Sequence, residues 1–344
     1  MFELTNLNYI LIIIEGSLFL KGFKREKAWL IIVATQLVLL LGLRGSTVGI
    51  DTQTYIDLFW AVKSGWGIGW LEIGNQIIYS ITATIFNKPV WLLLIYATIT
   101  VIPVLKVIEI DSRNAFFSII IYTGLMYYYW AFNAMRQAAA MSIAFLAISN
   151  LERNKNIKYF VLTFFAATVH KSALVVLLFW IVKKTGIRAN KNWSVWIIAL
   201  SSMGLLFGEK VVSQGLILFQ SYAGYIDSIF AGNGNVLNPI LFLSIFLFII
   251  LTQSHLSENE LFYLTMLGIG VILYFVSIKI QIVNRLTYYF TMPLIVLLPN
   301  CIESLKKQNK LISKGIFFVG ISLYQFLLIL KGAQGIVPYR FFWQ

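Results

Sequence analysis

The stretch KYFVLTFFAATVHKSALVVLLFWIV, residues 158–182, decides how this chain is read. Its flanks are basic, its body is apolar, and it is long enough to reach across the roughly 30 Å hydrocarbon core of a bilayer. At its middle stand His170, Lys171 and Ser172. Ionisable side chains at bilayer depth are costly and seldom face lipid. The stretch is therefore expected to form two half-helices, about 158–168 and 172–182, joined by a polar turn, with Ser172 capping the second. A re-entrant hairpin of this kind puts the basic loops 151–158 and 183–191 on one membrane face.

The rest of the chain follows the same pattern. Of its 344 residues 59% are hydrophobic and only 12% charged, and its mean hydropathy is +0.81. A soluble domain carries about 25% charged residues, so this surface suits lipid rather than water. Further apolar runs lie at about 7–20, 28–43, 71–86, 90–105, 115–131, 134–150, 192–207, 238–252, 260–278, 286–300 and 315–330. The expected fold is all-α, one polytopic transmembrane bundle of about 11–13 segments, a single integral membrane domain over 1–344 with outer loops 44–70 and 208–237. Loop 44–70 holds Tyr55, Leu58, Phe59 and Val62 at helical spacing, which predicts a short amphipathic helix on the membrane surface. Trp60, Trp66 and Trp70 suit headgroup depth.

Charge sets the orientation. The net charge of +13 gathers in short loops (21–27, 151–158, 183–191 and 306–314), as the positive-inside rule and anionic headgroups require. These loops are read as cytoplasmic, and no nucleic-acid partner is implied. The first apolar run precedes its basic cluster, the reverse of a cleaved signal peptide, and reads as a retained span with its N-terminus outside. One parity problem follows. If 71–86 and 90–105 both cross, Lys106–Arg113 falls outside and Asn133 inside; one of the two then does not cross, and 71–86, with Glu72, Asn75 and Gln76, is the more polar. Cys301 is the single cysteine. It excludes an intramolecular disulfide, and no metal-ligand spacing, P-loop or dinucleotide fingerprint is present.

Few polar residues then remain to be explained. Arg44 is followed by Gly45, Gly49 and Asp51. It is either a snorkelling arginine before a turn or an outer-face cation with Asp51 as its partner or as a general base. Asn133, Arg136 and Gln137 fall at i, i+3 and i+4 on one helix face, which makes either a structural clamp or an anion site. His170 is either structural or a base at a helix break that lines a polar cavity. Arg285, with Tyr288 and Tyr289, is either an interfacial anchor or a further outer-face cation. Three outward arginines in separate segments suit a polyanion, and a diphosphate fits best.

The string Arg44-Gly45, Gly49, Asp51, Tyr55, Glu72, Asn133-x-x-Arg136-Gln137 and His170-Lys171-Ser172-Ala173 resembles the EpsG family, Wzy-like polymerases of bacterial capsular and exopolysaccharides. The resemblance extends to Arg285 with Tyr288 and to Pro338-Tyr339. It implies a GT-C-like membrane glycosyltransferase of the bacterial plasma membrane, with its active site outside. Such an enzyme moves a glycan from undecaprenyl diphosphate onto a sugar hydroxyl of a lipid-linked repeat unit. It needs no metal or other cofactor, and works in the bilayer beside flippase and chain-length regulator proteins. His170, Asp51 and Arg136 are then the catalytic candidates. Arg44, Arg285, Asn133, Gln137, Glu72, Tyr288 and Tyr339 are the substrate-binding ones. A flippase of the same lipid-linked unit is the main rival, an O-acyltransferase the second. The flippase would need cations on both faces; the acyltransferase would need a histidine reaching the cytoplasmic side.

Overall fold

The computed structural model describes residues 26–218, 236–252 and 256–344. The expected first span 7–20, the basic residues Lys21, Lys24 and Arg25, and most of loop 208–237 lie outside the described residues. Of the described residues 78% are helical and none lies in a strand. In order, α1 is Glu26–Gly42, α2 Thr52–Lys63, α3 Ile73–Ile85, α4 Val90–Asp111, α5 Ala115–Gly124, α6 Tyr127–Trp130, α7 Met135–Glu152 and α8 Asn156–Val169. A 3₁₀ segment, Lys171–Val176, leads to α9 Leu177–Thr185, α10 Trp193–Leu218, α11 Leu237–Leu251 and α12 Glu258–Ser277. The last three are α13 Asn284–Thr291, α14 Leu294–Ser304 and α15 Lys307–Leu330.

Among the described residues, α4, α12 and α15 are each long and apolar enough to cross a membrane. The pair Gln281–Thr291 and Leu294–Ser304, bent by 48°, makes up to four. Shorter apolar helices include Ala115–Gly124 and Leu237–Leu251. At about 1.5 Å per residue these are too short to span alone. The uniform dozen of the sequence is thus broken up, because a hydropathy window does not register where a helix stops. Run 115–131 divides at Met126, whose φ of 68° is left-handed. Run 286–300 divides before Pro293, which cannot supply a helical N–H.

The chain separates into two compact units, residues 1–174 with 311–344, and residues 175–310. In the first, α4 packs on α1 and α7, and α7 on α8. Ala138, Ala139, Ala140, Ala144 and Ala147 of α7 are all buried, and such small side chains let helix backbones approach closely. In the second, α12 packs against α10, α11 and α13. Its start carries a full capping box between Ser257 and Glu260, and Phe179 stacks on Phe290 with ring centres 5.2 Å apart.

Within the first unit the ion pairs show which helix ends lie together. Glu109 meets Lys106 at 2.7 Å and Lys27 at 3.7 Å, and Asp111 pairs with Arg153 and accepts from Ser149. The end of α4 at Lys106–Asp111 therefore sits with Lys27 and Arg153, members of two loops read as cytoplasmic. Helix α3 is held at both of its ends. Asn75 in its first turn bonds the Val169 carbonyl at 2.7 Å, and its last turn is held by Lys63, whose ammonium donates to Ala83 and Phe86 carbonyls at 2.8 and 3.0 Å. Its 13 residues extend only about 20 Å. Its polarity is inverted: Asn75, Tyr79 and Thr82 are buried, while Ile73, Ile77, Ile81 and Ile85 form an exposed stripe at i, i+4 spacing, as suits a helix that turns its apolar side to lipid.

In a Cys301→Ser background, Lys63→Cys is expected to react with a membrane-impermeant maleimide on intact cells, and Lys106→Cys only after permeabilisation. Labelling of both from one face would contradict this arrangement.

Candidate active site

The polar residues of the first unit are assembled around a buried arginine. Arg44 follows α1 and is completely buried. Its Nε donates to Thr52 Oγ1 at 3.0 Å, Nη1 to the Leu41 carbonyl, and its guanidinium lies 5.4 Å from the Phe132 ring centre. A buried guanidinium left without acceptors would be strongly destabilising, so this geometry fixes the loop that follows. The C-terminal segment is laid along that loop: Gly45 N–H donates to the Arg340 carbonyl at 2.8 Å and Gly49 N–H to the Gly335 carbonyl at 2.8 Å. Phe342 N–H reaches the Leu43 carbonyl at 2.9 Å, and the Tyr339 hydroxyl donates to the Leu40 carbonyl at 2.7 Å. Gly49 has φ +89° and backs onto the Phe132 carbonyl, so a side chain is excluded there twice over. Asp51 is exposed, and its carboxylate makes no ion pair with Arg44.

Asn133 joins this loop to α7. Its Oδ1 accepts from Ile50 N–H at 2.5 Å and its amide donates to Gln334 Oε1. The buried Tyr55 hydroxyl donates to the Asn133 carbonyl and accepts from Met135 N–H at 3.2 Å. Burial, then the nearby Asp51 carboxylate, raises the Tyr55 pKa, outweighing Arg136 and Arg44; the phenol stays protonated and a donor. The expected stripe of Asn133, Arg136 and Gln137 is not formed as one helical face. The helix starts only at Met135, because Asn133 is held in the preceding turn, and Gln137 is buried.

Arg136, in the first turn of α7, remains partly open, its side chain 26% exposed. Its Nη1 lies 3.2 Å from Glu72 Oε2. Glu72 immediately precedes α3 without capping it through its side chain; its carboxylate instead accepts from Asn75 Nδ2 at 3.0 Å and from Lys171 N–H at 3.4 Å. Asn75 is in turn held by the Tyr96 hydroxyl at 2.6 Å. Gly74 makes this junction possible: a Cβ there would stand 2.7 Å from the Thr168 carbonyl oxygen. Beside Tyr96, at 6.2 Å between ring centres, the fully buried Tyr79 hydroxyl has no hydrogen-bond partner among the described residues.

His170 ends α8 in extended conformation, and Lys171 follows it directly onto Glu72. Its Nδ1 accepts from Ser172 N–H at 3.3 Å and lies 2.7 Å from Ser172 Oγ. The ring, rather than Ser172, therefore caps the start of the 3₁₀ segment. In the tautomer that satisfies the Ser172 amide, Nδ1 is the acceptor and the ring proton sits on Nε2. The second half-helix is a 3₁₀ turn before α9, instead of one helix from 172.

Arg285 and Tyr288 belong to the second unit, in the first turns of α13; Arg285 is half-buried and Tyr288 buried. Sequence reasoning did not single out Tyr79 or Tyr96, since a tyrosine in an apolar run carries no sign of its neighbours. Asn75 was visible only as polarity in 71–86. Among the described residues no cluster of His, Cys, Asp and Glu is arranged to hold a metal ion. The EpsG family profile matches residues 27–341. No curated protein and no solved structure matches the chain.

Tyr55→Phe removes a donor and an acceptor from the Asn133 turn. It is expected to destabilise the protein by about 1–3 kcal/mol, read as a lower melting temperature in detergent.

Proposed function

The chain belongs to the EpsG family, whose members are Wzy-like polysaccharide polymerases, and on that premise we propose that it transfers a glycan from a polyprenyl diphosphate to a sugar hydroxyl of a lipid-linked repeat unit. The observation that carries the proposal is the Arg136–Glu72 pair, with the backbone beside His170 on the same carboxylate. The site lies at the end of the first unit opposite Lys27, Lys106 and Arg153. By the positive-inside rule that end is extracytoplasmic, and the enzyme is a plasma-membrane polymerase.

In this reading the acceptor oxygen attacks the anomeric carbon of the donor glycan. The bond from that carbon to the diphosphate oxygen breaks, the diphosphate leaves with the electron pair, and the hydroxyl proton goes to a protein base. The leaving group carries several negative charges and needs a preorganised cation. Arg136 is partly open and able to present a two-pronged donor. A diphosphate that takes the guanidinium draws it from Glu72, and the released carboxylate becomes the base for the acceptor hydroxyl. Substrate binding thus creates the base it needs. His170, donating through Nε2, supports the departing diphosphate; Asp51, exposed near Tyr55, is the second choice of base. Arg44, Asn133 and Tyr339 act by holding the loop that aims Arg136.

Arg136→Ala and Glu72→Gln are each expected to reduce polymer by about 10²-fold or more, with the protein still present in the membrane. Arg136→Lys should not restore it, since an ammonium lacks the bidentate fork. Immunoblots of polysaccharide beside membrane protein levels decide this, and wild-type chain lengths in Arg136→Ala would overturn the assignment.

A further inference from the structure

A cavity lies in the first unit, apart from the Arg136–Glu72 centre. Its volume is about 360 Å³, within the roughly 300–1,000 Å³ of small-ligand sites. One wall is the buried Arg44 with Ser46, another is Lys88 and Leu93 at the start of α4, and the C-terminal Phe342 and Trp343 close it. Two cations line it, and no carboxylate does among the described residues. Neither Lys88 Nζ nor Ser46 Oγ has an intramolecular hydrogen-bond partner among the described residues. Trp343 is 61% exposed. Its ring lies parallel to Phe341 at 4.5 Å and meets Phe342 edge-on at 4.9 Å, two contacts that fix the orientation of a largely exposed indole.

We infer that this cavity binds an acidic sugar unit of the glycan. An aromatic plate meets the apolar face of a pyranose ring, the Ser46 hydroxyl meets its hydroxyls, and the exposed Lys88 ammonium, with the buried Arg44 charge adding to the positive potential behind the wall, selects a carboxylate or phosphate substituent. The backbone pairing of Gly45, Arg340 and Phe342 holds the plate against the cationic wall. The same bonds tie the cavity to the loop 44–52, which Asn133 grips through Ile50 from the turn before Arg136. The cavity therefore holds the glycan at a distance from the reacting diphosphate, and it favours polymers with an anionic residue in each repeat. That a glycan is the ligand rests on the polymerase reading; the cavity itself does not depend on Arg136.

The test uses the full chain in nanodiscs, titrated calorimetrically with tetragalacturonate and with uncharged maltotetraose. The acidic probe is expected to bind at least about tenfold more tightly. Trp343→Ala and Lys88→Gln should each weaken it about tenfold, while Trp343→Phe and Lys88→Arg largely retain it. Arg136→Ala should leave this binding unchanged while abolishing polymer, so failure of the subsite and failure of the catalytic assignment give different results. Equal binding of both sugars, or wild-type affinity in Trp343→Ala and Lys88→Gln, would overturn the inference. So would loss of tetragalacturonate binding when the nanodisc lipids are changed from zwitterionic to anionic, since the cavity would then be a lipid-headgroup site.

Discussion

A guanidinium buried without water must have its donors met by protein, and at Arg44 that demand organises one end of the first unit. Thr52 Oγ1 and the Leu41 carbonyl meet it, and each belongs to a different segment. The loop 44–52 is therefore tied to the end of α1 and the start of α2. The C-terminal residues 335–342 close over the same loop by backbone hydrogen bonds. Asn133 extends the network to α7 through Ile50 and Gln334. Arg136 is thus reached from Arg44 through a chain of fixed hydrogen bonds. An arginine that seemed equally suited to ligand binding acts here as the anchor of the segment that positions another.

The second organising feature is the inverted helix α3. A soluble amphipathic helix buries its apolar face; α3 buries asparagine, tyrosine and threonine, and exposes four isoleucines. Lipid in place of water explains the inversion. It also brings Glu72, Asn75, Tyr79 and Tyr96 into a protein-lined interior where a carboxylate and an arginine can face each other at low dielectric. In the proposed transfer such a pair is self-satisfied at rest and separable by a stronger anion. Substitution of either partner leaves the other exposed to the same desolvation cost, so the two are expected to behave as one unit in mutant phenotypes.

Much of this was legible in advance, for identifiable reasons. Lipid-like composition follows from residue counts alone. The break at His170 follows from the cost of placing His, Lys and Ser inside an apolar run. The amphipathic helix 52–63 follows from the spacing of Tyr55 and Phe59, both now buried. Other readings needed contacts that sequence does not contain. The helical stripe of Asn133, Arg136 and Gln137 assumed that the helix began at residue 133, whereas the Ile50 and Gln334 partners hold Asn133 outside it. For 71–86 the sequence offers only its polarity; the inward placement of Asn75, Tyr79 and Thr82, and the meeting of Glu109 and Asp111 with Lys27 and Arg153, are tertiary facts.

By itself the sequence determined that the chain is helical, that it lives in lipid, and that a handful of arginines, carboxylates and one histidine remain for chemistry. These are properties of composition and period, and they survive any arrangement of the helices. Which of those residues are buried and bonded inward, as Arg44 is, and which stay partly open, as Arg136 does, was decided by tertiary structure. Partnership between positions as distant as 72 and 136, or 44 and 341, depends on helix packing and on the hydrogen-bond demands of buried groups. So does the tautomer of His170, set by one backbone amide two residues along the chain.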